Sequence, residues 1–183
     1  MNSTQLLVVL TAVFSLIMIY TSITALKRKK YNYLIEDIVT YAFYITFLIA
    51  QYIIKFQVRI FIIFLVLISF VGNSLIGKCL NVYNTSKHYD RFLHAFGVFS
   101  FSLFSYSILS KITAYSIYPK VYGCIFVSTI GISLGCMLEI YEFITDSITK
   151  SYNQHGLTDT NFDLISDVIG SVIAGIISYF ILL

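Results

Sequence analysis

The chain has 183 residues, 58% of them hydrophobic and 11% charged, where an ordinary soluble domain carries about 25% charged residues. With a mean hydropathy of +0.84, 16 Phe, 15 Tyr and one Pro, this balance excludes both a soluble globular domain and a disordered, linker-rich polypeptide. The net charge of +3 comes from 12 Lys and Arg spread along the chain, with no dense basic stripe of the kind that tracks nucleic acid, and nucleic acid is excluded as a partner.

A helix needs about 20 apolar residues to cross the hydrocarbon layer. Six such windows bounded by charge are predicted, at 5–26, 38–54, 60–76, 92–110, 121–146 and 162–183. The expected fold is all-α: a polytopic transmembrane helix bundle forming a single transmembrane domain over 1–183, with no soluble domain. The first window ends at Lys27-Arg28-Lys29-Lys30 and lacks both a basic segment before it and a small-residue cleavage site, so an uncleaved helix is expected. The second and third form a hairpin whose tight turn carries Lys55 and Arg59. Tyr89, Tyr118, Tyr122, Tyr141 and Tyr152, near the span ends, read as interface anchors. Cys79, Cys124 and Cys136 form no Cys-x-x-Cys and read as small buried hydrophobes.

Cytoplasmic loops hold the excess of Lys and Arg. With the N-terminus outside, the inner loops carry Lys27, Arg28, Lys29, Lys30, Lys78, Lys87, Arg91 and Lys150, against Lys55, Arg59, Lys111 and Lys120 on the outer side. Both termini are therefore expected outside.

Nine residues are acidic. Glu36 and Asp37 precede the second window and read as a solvated helix start, favourable at the positive end of the dipole. The other seven, Asp90, Glu139, Glu142, Asp146, Asp159, Asp163 and Asp167, fall in the second half. Counted from the outer end of each helix, His94 lies 17 residues from Lys111, Glu139 lies 19 from Lys120 and Asp167 lies 16 from Leu183. At about 1.5 Å per residue these polar groups share one level, roughly 24–29 Å from the outer face and just inside the cytoplasmic boundary.

Residues three or four apart share a helical face. Asp90 with His94, Glu139 with Glu142 and Asp146, and Asp159 with Asp163 and Asp167 thus form one acidic stripe per helix. Like charges at these spacings repel unless a cation, a basic partner or protonation offsets them. Bases nearby are few: Arg91, His94, Lys150 and His155. Local roles are available for some: Asp159, Thr160 or Asn161 as the N-cap of the sixth helix, Asp163 as a first-turn acid, Arg91 reaching to the inner interface, His88 in a loop, and His94 as a hydrogen-bonded packing histidine. Capping does not account for Asp167. The small pairs Gly131/Gly135, Gly170/Ala174 and Ser171/Gly175 predict close approach of the fifth and sixth helices, which would bring Glu139 and Glu142 toward Asp163 and Asp167.

The set Tyr89-Asp90-Arg91-Phe92-Leu93-His94-Ala95-Phe96-Gly97, then Leu138-Glu139-Ile140-Tyr141-Glu142, then Gly156-Leu157-Thr158-Asp159-Thr160-Asn161-Phe162-Asp163-Leu164 with Asp167 and Gly170, resembles the YjdF-like family of small bacterial inner-membrane proteins. It is more distantly similar to the VanZ-like family, which shares an Asp-Arg/Lys-x-x-His element and a final acidic, glycine-containing helix. This chain has Glu139-x-x-Glu142 where the VanZ-like pattern has Glu-x-x-Gln followed by Arg. The resemblance covers about half of the chain and implies a multi-pass protein of the bacterial inner membrane. The YjdF-like family carries no established activity to transfer.

Three functions stay open on these residues. The first is a metal-dependent site acting on or binding a lipid or lipid-linked headgroup. Glu139, Glu142, Asp163 and Asp167 would be metal ligands, Asp90 and His94 catalytic or orienting groups, and Asp146 and Asp159 further polar members. Carboxylates favour Mg²⁺ or Mn²⁺, and an added histidine shifts the preference toward Mn²⁺ or Zn²⁺. The second is a cation- or proton-coupled transporter, and the third a non-catalytic scaffold locked by a buried polar network. The lipid bilayer is the partner expected in each case.

Overall fold

A computed structural model describes residues 2–113, 117–149 and 153–183. The sequence expectations for Lys150 and Tyr152 lie outside these. Among the described residues there are six helices long and apolar enough to cross a membrane and no strand, so the expected all-α bundle is the fold observed. They are α1 (Ser3–Lys27), α2 (Tyr31–Ile54), α3 (Ile60–Val71), α4 (Lys87–Thr113), α5 (Lys120–Thr149) and α6 (Leu157–Ile181). Helix α3 runs on as a π-helical stretch, Gly72–Cys79, and a short 3₁₀ turn, Val82–Asn84, leads to α4.

The helices outrun most of the apolar windows because hydropathy marks the length of chain in hydrocarbon, while helical hydrogen bonding continues through polar residues at the boundary. This corrects three local expectations. Glu36 and Asp37 lie inside α2, and Asp37 is 3% exposed, not solvated. His88 is helical and belongs to α4. The N-cap of α6 is Gly156, with no side-chain cap bond, so none of Asp159, Thr160 and Asn161 caps it. Cys136 is exposed on α5, while Cys79 is buried.

The chain divides into two compact units, Met1–Tyr89 and Asp90–Leu183. In the first, Asn2 and Gln5 close a capping box at the start of α1. Phe14 is buried, with its ring edge-on to Tyr44 at 5.1 Å. The hydroxyls of Thr11 and Tyr44 meet at 2.7 Å and those of Ser15 and Tyr41 at 2.9 Å, so both tyrosines keep a partner away from water. Ile62, Ile63, Val66 and Leu67 complete the core from α3. The α2–α3 turn is tied by Gln51, whose side-chain oxygen accepts the Val58 N–H at 2.9 Å.

In the second unit the close approach expected of α5 and α6 is present. A Cβ at Gly175 would lie 2.6 Å from the Cys124 carbonyl oxygen, and one at Gly170 would strike the Ala95 backbone of α4. Fully buried serines line the contact, and their hydroxyls bond back within their own helices: Ser100 to Phe96 O at 2.7 Å and Ser171 to Asp167 O at 2.6 Å. Small side chains thus replace the large apolar ones of a soluble core, as expected where lipid and protein are equally apolar. The large apolar residues point outward: Leu16, Ile53, Phe143 and Phe180 are all more than 60% exposed, which suits a surrounding of acyl chains.

Gly170→Ala is accordingly expected to destabilise the protein by about 1–3 kcal/mol, because the obstacle is backbone and cannot rotate away. Gly97→Ala, with open space around the added carbon, should be neutral or stabilising by up to about 1 kcal/mol. Unfolding of the two variants in matched detergent checks both signs.

Candidate functional site

The polar residues of the second unit gather at one end of its helices. Helix α4 supplies Asp90, Arg91 and His94 from its first two turns, α6 supplies Asp159, Asp163 and Asp167 from its first three, and α5 supplies Glu139, Glu142 and Asp146 from its last three. Because α5 and α6 are consecutive and pack closely, the end of one adjoins the start of the other.

His94 is the centre of this arrangement and is 6% exposed. Its Nδ1 lies 3.2 and 3.4 Å from the two carboxylate oxygens of Asp167. With the Asp167 carboxylate as acceptor, Nδ1 is the donor of this contact. The other ring nitrogen, Nε2, is 3.9 Å from an oxygen of Asp90 and 3.9 Å from Oε1 of Glu139. One donor atom from each of Asp90, His94 and Asp163 lies within 4.8 Å of the other two.

Helix packing makes room for the central pair. A Cβ at Gly135 would lie 2.5 Å from the carboxyl carbon and Oδ2 of Asp167. Glycine on α5 is what lets the Asp167 side chain stand between α5 and α6 and reach His94.

The loop between α5 and α6 folds back on the same end. Both oxygens of Asp146 accept the Asn153 N–H at 2.9 Å, and one accepts the Gln154 N–H at 2.9 Å. The Gln154 amide donates at 3.0 Å to the Glu139 carbonyl and at 3.0 Å to its Oε2. Asp146 therefore holds the loop, and Gln154 fixes the rotamer of Glu139. His155 Nδ1 lies 3.3 Å from Asp159, and Arg91 faces the same carboxylate at 3.9 Å with its guanidinium 4.1 Å over the Phe162 ring.

Four of the sequence-derived site residues thus surround His94: Asp90, Glu139, Asp163 and Asp167. Glu142 is half-buried and lies within electrostatic reach of His94, Glu139, Asp90 and Asp163. Asp159 is paired with His155 and Arg91 at the edge, and Asp146 works in the loop. Gln154 and Gly135 act on the site without having been singled out for that role. The polar loop before an acidic helix was the signal for Gln154, whereas nothing in spacing alone assigns Gly135 to Asp167.

Two acids are left incomplete. Oε1 of Glu139 and Oδ1 of Asp163 are buried and have no hydrogen-bond partner among the described residues, on side chains 5% and 4% exposed. A buried carboxylate oxygen without a partner is expensive, and two converge near a single imidazole.

Residues 6–183 match the family described as "Predicted membrane protein (DUF2238)". The chain belongs to that family of predicted membrane proteins. An uncharacterized protein of Thermotoga maritima is 38% identical over 100 residues, 54% of this chain and 51% of that protein. The chain spans about half the length of the curated relative it matches. No solved structure matches.

The geometry separates two neighbouring aspartates of α6. Asp167→Leu removes the partner of a buried His94 and should destabilise by about 2–4 kcal/mol. Asp163→Asn removes a charge whose inner oxygen has no partner, and should leave the unfolding temperature unchanged or raised in metal-free buffer. Thermal unfolding with chelator present checks the contrast.

Proposed function

We propose that the second unit holds a divalent cation and uses it to engage the phosphate of a lipid or lipid-linked headgroup. The observation that supports this most directly is the pair of buried oxygens on Glu139 and Asp163 that lack a hydrogen-bond partner among the described residues, beside donor atoms of Asp90, His94 and Asp163 that lie within 4.8 Å of one another. Around an ion bonded at about 2.1 Å, neighbouring donors stand about 3 Å apart, so the side chains draw inward by an ångström or two when it binds.

In this reading His94 is a ligand through Nε2. Asp167 stands behind it, fixing the tautomer and orientation as carboxylates do behind metal-bound histidines. That departs from the simplest reading of the sequence, in which Asp167 is a ligand and His94 a base. Asp90, Asp163 and Glu139 complete the ligand set, with Glu142 beside it. The bound ion would polarise a phosphoryl oxygen. A position near the membrane boundary, expected from helix depth, is where headgroup phosphates lie.

The YjdF-like and, more distantly, VanZ-like resemblance supports the same location, because the residues that carry it include Asp90, His94, Glu139, Glu142, Asp163 and Asp167. The Lys and Arg count supports a site on the cytoplasmic side with both termini outside, and the YjdF-like resemblance supports a bacterial inner membrane. Transport sites lie near the midplane in broken helices, so clustering at one helix end weighs against a cation path. A scaffold held by a polar lock is the second reading, favoured by the His94–Asp167 bond that ties α4 to α6.

Elemental analysis separates the two. Wild type purified with Mn²⁺ should carry about one ion per chain. Asp163→Asn and Glu139→Gln should lose it while eluting as folded protein. Metal-free wild type after Mg²⁺ and Mn²⁺ supplementation, or equal metal in all three proteins, contradicts the cation site and leaves the polar lock.

A further inference from the structure

The first unit contains a polar cavity of its own, of about 90 Å³. It lies where the end of α1, the start of α2 and the π-helical stretch meet. Its lining includes Arg28, Lys30, Tyr33, Asp37, Ser74 and Lys78. Helical spacing explains the convergence: Tyr33 and Asp37 are one turn apart on α2, and Ser74 and Lys78 are four apart on the π segment, where widened turns are frequent at functional sites.

The charges in this cavity are unevenly matched. Lys78 is ion-paired with Glu36. Arg28 gives one guanidinium N–H to the Cys79 carbonyl at 2.7 Å, leaving most of its five donors for something else. Lys30 lies over the Tyr33 ring at 5.9 Å and forms no ion pair among the described residues. Asp37 and Ser74 are each 3% exposed, and Asp37 is the one acidic residue of the lining among the described residues. A buried carboxylate open to a cavity calls for a cation, whereas the guanidinium and ammonium at the mouth call for an anion.

One small group offers both. We infer that the cavity binds the zwitterionic headgroup of an aminophospholipid, with its ammonium on Asp37 and Ser74 and its phosphate on Arg28 and Lys30. The acyl chains would lie along the apolar outer surfaces of the helices. This site is independent of the acid and histidine cluster, and nothing in its argument requires a metal.

The test is native mass spectrometry of the delipidated full chain, exposed to equal amounts of phosphatidylethanolamine and phosphatidylglycerol with identical acyl chains. Wild type should retain the ethanolamine lipid at least fivefold over the glycerol lipid. Asp37→Asn, checked for folding by gel filtration and unfolding temperature, should lose that preference while still holding either lipid. Lys30→Glu changes only the exposed mouth and so remains folded; it should lower retention of both lipids severalfold. Equal retention of the two lipids by wild type, a preference that survives in folded Asp37→Asn, or unchanged retention by Lys30→Glu overturns the assignment. So does binding of soluble phosphoethanolamine with no retention of the lipid.

Discussion

A single buried contact, His94 Nδ1 to the Asp167 carboxylate at 3.2 Å, organises the polar end of the second unit. It uses one face of the imidazole to join α4 to α6 and leaves the opposite nitrogen directed at Asp90 and Glu139. The contact depends on Gly135, because any side chain there would occupy the volume of the Asp167 carboxylate. It also depends on the close helix approach allowed by Gly170. Small residues therefore serve the chemistry as well as the packing: without them the acids of three helices could not converge on one ring.

The same contact explains why the cluster is both assembled and incomplete. One histidine can offset only part of the charge on five nearby acids, Asp90, Glu139, Glu142, Asp163 and Asp167. The Gln154 amide serves one oxygen of Glu139, while the other has no hydrogen-bond partner among the described residues. A network built solely for stability would be expected to satisfy its buried oxygens. In the first unit the polar end differs in kind: cations predominate around the cavity, and a lone buried carboxylate sits behind them. The two proposals accordingly assign ligands of different character, a bare cation to one site and a headgroup carrying both signs to the other.

The six spans were legible because hydropathy and length are local properties, and nearly all of each apolar window falls within its helix. The stripes Asp90/His94, Glu139/Glu142 and Asp163/Asp167 were legible for the same reason, since helical spacing is fixed once the helix is known. What spacing could not supply was pairing across helices. His94 and Asp167 are 73 residues apart, and the choice of Asp167 over Asp163 as the partner of Nδ1 follows from helix rotation set by Gly135 and Gly170. Asp37 was misread because it stands next to polar residues at a span boundary, where solvation is the usual outcome. It instead lines a cavity together with residues of α1 and of the π-helical stretch, a meeting of elements with no local residue signature. Gly156 takes the N-cap because the chain turns there at φ 112°, ahead of the better capping residues.

The central claim is that His94 presents Nε2 to a bound cation while Asp167 holds its other nitrogen. Pulsed electron paramagnetic resonance of Mn²⁺ bound to the purified chain tests it most directly. The account predicts nitrogen modulation from one imidazole, shifted when histidine is labelled with ¹⁵N and absent in His94→Gln. Mn²⁺ bound with oxygen and water ligands alone, and no nitrogen coupling in wild type, would contradict it.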